Sequence, residues 1–468
     1  MFNPAPAIAQ VCPVQLDSQV KSVLGRIPNG RWGILVQTQA PAGQRRNLVN
    51  LNASTQLIPA SNAKILTTAA ALHRLGADYR IQTIATGNAI GPNLATLRIM
   101  GQGDPSLTTQ QLSALVTQLQ QKGIRQVDRL IGDETYFQGP TINPNWDAED
   151  IGEAYAVATN ALILNQNAIN LTLFPQKVGQ PLQVQWEDIT DRSDWTLVNR
   201  SKTVGANAGE FANAYRKGSS IVIDAALRVG SDSEWVGIAI PNPGNYLVRK
   251  FRNLLTQAGI QVKSSTLVQR KMAPPGEVTL ATVSSPPLSE LLYETNQESN
   301  NTYAEALLKT LGKQSHASSR TISGNATQDG IAAVKTSLTA LGVNANRYSL
   351  VDGSGLARGN RVSPEALVQT LQAIAQLPTA EIYKRSLPMA GMTGTLKNRF
   401  RGTPAQGVVL AKTGTISGAV SLSGYITPKN HPPLVFSILV NSAAAPATVR
   451  QAIDDVVVQL SQLTTCDR

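Results

Sequence analysis

An apolar run from Ile65 to Leu72 follows Pro59-Ala60-Ser61 and ends near Gly76. A start signal, a buried body and a glycine stop predict a helix there. Helical spacing recurs from Leu288 to Glu298 and from Tyr303 to Leu311, which puts Ser299 on a tight turn between two helices. Leu107 to Lys122 carries Leu112, Leu115, Val116 and Leu119 on one face and reads as an amphipathic helix. Period-two alternation predicts strands at Trp32 to Thr38, Tyr79 to Ala85, Leu94 to Met100, Ile169 to Phe174, Leu182 to Trp186, Ser220 to Ile223 and Glu234 to Ile240. Pro241-Asn-Pro-Gly244 reads as a turn, with a helix from Asn245 to Ala258 behind it. Near the C-terminus, Val408 to Leu410 leads into Lys412, Ala419 to Ile426 alternates as a returning strand, and Leu434 to Val440 is another. Ala447 to Leu463 reads as a closing amphipathic helix.

The strands at the two ends of the chain combine into an antiparallel sheet flanked by helices. The stretch between them has its own rhythm of short strands and helices. The fold class is therefore α/β, with a core split between residues 1–76 and 278–468 and one or two α+β domains inserted at 77–277. A chain of 468 residues suggests two or three domains in any case.

Composition narrows the class. Hydrophobic residues make up 42% and charged residues 15%, enough for real cores and against disorder. No apolar run is long enough to span a membrane. Ala5 to Gln10 resembles the tail of an export signal, with cleavage near Ala9–Gln10. Cys12 and Cys466 are the two cysteines, one near each terminus. Termini are often close in a fold, and an exported protein can keep such a pair oxidised; two unpaired thiols in frayed ends are the alternative. The formal charge is +11, yet the Lys and Arg residues are scattered and aromatics are 5%, so no basic stripe with stacking residues points to nucleic acid. For an exported protein, a wall carrying anionic polymers is the expected neighbour.

Three short motifs carry the chemistry: Ser61-Asn62-Ala63-Lys64, Ser299-Asn300-Asn301 and Lys412-Thr413-Gly414-Thr415. Ser-x-x-Lys, Ser-x-Asn and Lys-Thr-Gly form the catalytic set of penicillin-recognising acyl-transferases and serine β-lactamases. A single Ser-x-x-Lys match arises by chance roughly once or twice in a chain this long, and Ser18-Gln19-Val20-Lys21 is one such match. Ser323-Gly324-Asn325, in the polar loop Gln314 to Gly330, likewise repeats the second motif. Ser61 heads a buried helix, whereas Ser18 precedes a strand with no comparable helix behind it.

The residue types fit the chemistry. A serine hydroxyl needs an adjacent base to become a nucleophile, and Lys64 at i+3 shares a helix face with Ser61. Burial and a neighbouring cation lower a lysine pKa enough for that work, and Lys412 can be the neighbour as well as an anchor for a substrate carboxylate. A His triad is hard to build from His73, His316 and His431, which sit on the Ser61 helix, in a polar loop and in an Asn-His-Pro-Pro turn. Two cysteines exclude a Cys-rich zinc site, and no Gly-rich phosphate loop occurs, so no metal or cofactor is expected.

The chain resembles the class C low-molecular-mass penicillin-binding proteins, D-alanyl-D-alanine carboxypeptidases and endopeptidases of the bacterial cell envelope. The resemblance rests on the three motifs, the large insert after Ser-x-x-Lys, and the segments Gly101-Gln-Gly-Asp-Pro-Ser106, Asp352-Gly-Ser-Gly-Leu356, Ser386-Leu-Pro-Met-Ala-Gly391 and Gly394-Thr395-Leu396. It implies a β-lactamase/transpeptidase-like core and β-lactams as covalent inhibitors. It also implies roles: Ser61 the acylated nucleophile, Lys64 its base, Ser299 and Lys412 a proton relay to the departing D-alanine, and Asn301 a clamp on the substrate backbone. The N–H groups of Ser61 and Thr415 would form the oxyanion hole, beside the substrate-binding Thr413 and Gly414. Family members that read a diaminopimelate side chain do so with an acidic residue in the insert and an arginine after Asp-Gly-Ser-Gly; Asp150 and Arg358 match those places, with Tyr155 nearby and Asp147 and Glu149 as rivals to Asp150. Asn300 stands where the family most often has aspartate. The expected substrate is a peptidoglycan stem peptide, in the periplasm or cell envelope. A β-lactamase or esterase on the same catalytic set, and a non-catalytic wall-binding protein, are the alternatives.

Overall fold

The computed structural model describes residues 11–268, 276–315 and 324–466. His316, Ser323 and the Ala5–Gln10 segment lie outside the described residues. Two compact units are built from the chain: one from residues up to Arg80 and from Pro286 onward, the other from Ile81 to Ser285.

The first unit is organised by a five-stranded antiparallel sheet in the order Val409–Ile416, Ala419–Ile426, Leu434–Asn441, Arg31–Thr38, Asn47–Leu51. The third-motif strand is thus an edge, and its neighbour Ala419–Ile426 is buried at every position. One face is covered by the helices Pro13–Leu24 and Pro446–Ser461, whose Leu16, Val20, Val23, Ile453, Val456 and Leu460 join a core with Ile34, Phe436 and Ile438 from the sheet. The helix Ala63–Leu75 packs instead among Asn301–Ser315, Ala326–Ala340 and Pro364–Ile374. Ten of its residues in a row, Ala63 to Leu72, are buried, as expected of a helix surrounded by others.

Cys12 and Cys466 are bonded, with Cα atoms 5.7 Å apart across a sequence separation of 454. The bridge reinforces backbone bonds from Val11 N–H to Gln462 O (3.2 Å) and from Thr464 N–H to Val11 O (3.1 Å). A loop this long gives a large entropic effect on the unfolded chain, about 5 kcal/mol at its upper end. Replacing both cysteines by serine is expected to lower the denaturation midpoint well below that of the oxidised protein, and reductant should do the same to the wild type. A midpoint indifferent to both treatments would show that the bridge contributes nothing.

Among its described residues the second unit holds three sheets. Gln261–Val268, Gln126–Asp133, Asn93–Gly101, Gln82–Gly87 and Val278–Ser284 form a mixed five-stranded sheet whose first three strands are parallel. A three-stranded sheet (Glu234–Ala239, Ala168–Phe174, Gln183–Trp186) and a four-stranded sheet around Ser220–Arg228 complete it. One continuous apolar cluster runs through all three, from Leu97 and Leu130 to Leu171, Ile223 and Phe251.

Four local readings need correction. Pro243 and Gly244 do not belong to a turn: they open the helix Pro243–Gln257, because proline at the first helical position gives up no bond that the helix could make. Ser18 lies inside the helix Pro13–Leu24, where its hydroxyl donates to Gln15 O at 2.9 Å and Lys21 pairs with Asp17 at 2.5 Å. The Gln314–Gly330 stretch is not all loop: one helix ends at Ser315 and another starts at Ala326, where Asn325 Oδ1 accepts the N–H groups of Thr327 (3.1 Å) and Gln328 (3.3 Å) as an N-cap. Ser61 itself sits in a 3₁₀ turn, Ala60–Asn62, that runs straight into the helix Ala63–Leu75.

Candidate active site

The three motifs meet in the first unit around Lys64. Its Nζ lies 3.0 Å from Ser61 Oγ, 2.6 Å from Asn301 Oδ1 and 2.7 Å from the Ser354 carbonyl. The two carbonyl oxygens can only accept. When Lys64 is neutral, its two N–H bonds are therefore drawn to Asn301 and Ser354, and its lone pair is left facing the Ser61 hydroxyl. That is the orientation a general base requires. Lys64 is fully buried, and burial brings its pKa down to about 7 against the opposing pull of Asp352 and Glu305. The amine is neutral in a useful fraction near neutral pH.

Lys412 is also fully buried. Burial first, and the Lys64 charge second, hold its pKa well below the ordinary lysine value, while Glu298 pulls the other way. Its Nζ donates to Thr413 O at 3.1 Å. The strand carrying Lys412 is tied to the Ser61 turn from both sides: Asn62 Nδ2 donates to Lys412 O at 3.0 Å, and Ser421 Oγ, one strand over, donates to Pro59 O at 2.7 Å.

Close approach explains two glycines. A Cβ on Gly414 would stand 2.2 Å from Ser421 Oγ, 2.8 Å from Pro59 O and 3.0 Å from Ser61 N, so only glycine lets the third motif lie against the nucleophile's own N–H. A Cβ on Gly355, which has a φ of +83°, would fall 1.9 Å from Ala60 O. The Asp-Gly-Ser-Gly loop therefore runs directly beneath the nucleophile turn. Asp352 shapes that loop by accepting from Gly355 N–H (2.8 Å), Ala357 N–H (2.6 Å) and Asn360 Nδ2 (2.7 Å). Ala60 and Ser299 hold positive φ values of 48° and 58°, a costly conformation for residues other than glycine that concentrates at functional sites.

Ser299 lies on the turn between Leu288–Gln297 and Asn301–Ser315. Thr413 Oγ1 donates to Thr395 Oγ1 at 2.7 Å, which brings the Gly394-Thr395-Leu396 segment to the edge of the third-motif strand. Arg358 is exposed, and a Cβ on Gly418, in the turn after that strand, would lie 3.7 Å from its Nη2. Asp150 and Tyr155 belong to the second unit, where Tyr155 Oη donates to Asp150 Oδ1 at 2.8 Å. Burial and the Asp150 carboxylate raise the Tyr155 phenol. His73 Nδ1 is 2.9 Å from Ser337 Oγ, and His431 Nδ1 is 2.9 Å from Pro432 O.

Two neighbours of Lys64 escape a motif reading. The Ser354 carbonyl is a backbone atom, without sequence signal beyond the Asp-Gly-Ser-Gly segment. Glu305 is buried at the Asn301–Ser315 helix and accepts the N–H groups of Gly353 (2.9 Å) and Ser354 (2.8 Å). Its place four residues after Asn301 puts both on one helix face, a faint signal that was available in the sequence.

The arrangement can activate a serine, accept its proton and offer further polar groups around the resulting adduct. Solved structures carry the same fold. The crystal structure of penicillin binding protein 4 (dacB) from Haemophilus influenzae superposes with a TM-score of 0.77 at 22% identity, covering 94% of this chain and 98% of that one. A structure of that protein complexed with a novel β-lactam gives 0.71 over the same shares. A D-alanyl-D-alanine carboxypeptidase from Actinomadura sp. (strain R39) is 33% identical over 427 residues, 87% of this chain and 78% of the relative. The family model described as D-Ala-D-Ala carboxypeptidase 3 (S13) matches residues 14–460, and the chain belongs to that family.

Proposed function

We propose that this chain, a serine-type D-alanyl-D-alanine carboxypeptidase by its family, works on peptidoglycan stem peptides through an acyl-enzyme on Ser61. The observation that carries the mechanism is the Lys64 amine, held by two carbonyl acceptors with its third position on the Ser61 hydroxyl. Ser61 Oγ attacks the carbonyl carbon of the penultimate D-alanine as Lys64 takes the hydroxyl proton. The N–H groups of Ser61 and Thr415 receive the oxyanion, a contribution often worth about 3 kcal/mol per donor. The C–N bond then breaks, and Ser299 with Lys412 delivers a proton to the departing D-alanine. Water cleaves the ester and restores Ser61. Asn301 holds the substrate backbone, and Thr413, Gly414 and Thr415 line the place of its terminal carboxylate.

A β-lactam presents a strained amide to the same serine and stops at the ester; the β-lactam complex of the Haemophilus influenzae protein favours this reading. Action on cross-linked peptides, as an endopeptidase, uses the same steps. The bonded Cys12–Cys466 pair suits an oxidising compartment and supports a place in the periplasm or cell envelope; among the described residues no helix is long and apolar enough to cross a membrane. The test compares substrates: a D-Ala-D-Ala pentapeptide should turn over repeatedly with release of D-alanine, while penicillin forms a lasting adduct. Faster turnover of penicillin than of the peptide would make the chain a β-lactamase instead.

Asp150 and Tyr155 in the second unit are proposed to take the ammonium of a diaminopimelate side chain, and Arg358 in the first unit is separately proposed to take a substrate carboxylate. Asp150→Ala is then expected to slow hydrolysis of diaminopimelate peptides by roughly tenfold, the scale of one charge-assisted contact. Acylation by a penicillin lacking that side chain should hardly change. Equal losses on both would assign Asp150 to the fold.

A further inference from the structure

Glu305 is a carboxylate buried beside the Ser61–Lys64 pair with no part in the steps above. It is 2% exposed, and Lys309, one turn along the same helix, is 4% exposed. A charged pair inside a helix cluster is expensive unless its polar atoms are used. The atoms of Glu305 are used on the loop below Ser61: Oε1 accepts from both Gly353 N–H and Ser354 N–H. The carbonyl of that same Ser354 is the 2.7 Å acceptor for Lys64 Nζ. Thr67 Oγ1, on the Ser61 helix, donates to Gly353 O at 2.8 Å and clamps the loop from the other side. The carboxylate thus holds the N–H side of Gly353 and Ser354, and the carbonyl of Ser354, in the peptide unit that follows, aims the amine.

We propose that Glu305 is a positioning residue of the acylation step, locking the Gly353–Ser354 backbone so that its carbonyl orients Lys64, and supplying the negative charge that stabilises the lysine once it has taken the serine proton. The proposal rests on Ser61 acylation through Lys64. Its two parts separate by chemistry. The hydrogen-bond acceptor acts on geometry through Ser354, whereas the charge acts on Lys64 directly.

The charged groups around Glu305 are Lys64 on the Ser61 helix, Asp352 on the loop and Lys309 on its own helix; beyond Lys64 lie Lys412 on the third-motif strand and Glu298 on the Ser299 turn. Asp352 and Glu305 both favour protonated Lys64, and burial opposes them. Burial and Asp352 also raise the Glu305 carboxyl, to about 7, so proton uptake at Lys64 and at Glu305 is linked.

The experiment follows the rate of Ser61 acylation by penicillin from pH 5 to 9 in three proteins. Glu305→Gln keeps an acceptor for the two N–H groups but removes the charge. With that charge gone, protonated Lys64 loses support, its pKa falls, and the acidic limb of the profile should move about half to one pH unit lower, with the plateau within about threefold of wild type. Glu305→Asp keeps the charge but withdraws the acceptor; its limb should stay near the wild-type position while the plateau drops about tenfold. An unmoved limb in Glu305→Gln together with a wild-type plateau in Glu305→Asp would overturn the proposal. Should one variant fail to fold, as read by its thermal midpoint, the other decides by its own result. Absence of any adduct in the wild type would instead defeat the acyl-enzyme reading, a different outcome from an adduct whose pH profile ignores Glu305.

Discussion

Ser61→Ala is expected to abolish covalent capture of a β-lactam, while Ser18→Ala leaves it unchanged. Both serines stand three residues before a lysine, and the structure separates them completely. Lys64 is buried with its amine 3.0 Å from Ser61 Oγ, whereas Lys21 is exposed and engaged by Asp17, and the Ser18 hydroxyl is spent on Gln15 O. With the Lys21 amine tied to Asp17 and the Ser18 hydroxyl to Gln15 O, the two are not joined as base and nucleophile. Intact-protein mass spectrometry reads the result as one drug adduct in wild type and in Ser18→Ala, and none in Ser61→Ala. The Ser61 site is half-buried and its turn is held by backbone and Asn62 contacts, so the alanine variant should fold as wild type does.

Lys64→Ala is expected to slow acylation by a factor of about 10² to 10⁴, the range of a lost general base. Noncovalent binding should change much less, because Lys64 acts on the proton in the transition state rather than on bound substrate. The same amine sets the pH dependence. With a pKa near 7, Lys64 is protonated and useless as a base at lower pH, so the wild-type rate should fall as pH drops through about 7 and level off above it. Stopped-flow acylation across that range checks both points. A Lys64→Ala rate near wild type, or a wild-type rate that is flat from pH 5 to 9, would require another base.

Much of the site was legible because its chemistry is local. Ser61 and Lys64 share a helix face by spacing alone, Ser299 fell between two helical patterns, and the alternation of Ala419–Ile426 gave the strand beside Lys412. The less legible parts depend on contacts distant in sequence. The helix Pro13–Leu24 has a thin apolar stripe, Leu16, Val20 and Val23, among polar residues, and its partner Pro446–Ser461 lies at the other end of the chain. Asn325 gave no sign of being a cap, since asparagine in a polar stretch is equally at home in a loop. Charged residues such as Glu305 and Lys309 are usually exposed on a helix, so their types alone do not announce burial. Their burial depends on the Gly353–Ser354 loop, whose N–H groups give the Glu305 carboxylate its partners.

The acyl-enzyme on Ser61 should form with the enzyme's own substrate. A D-alanyl-D-alanine peptide mixed with the protein, quenched in acid within milliseconds to seconds and digested, should leave the peptide containing Ser61 heavier by the acyl group lacking its terminal D-alanine, with free D-alanine in the supernatant. The modification should disappear in Ser61→Ala. D-alanine released at the wild-type rate with Ser61 unmodified in every quenched sample, or by Ser61→Ala itself, would contradict it.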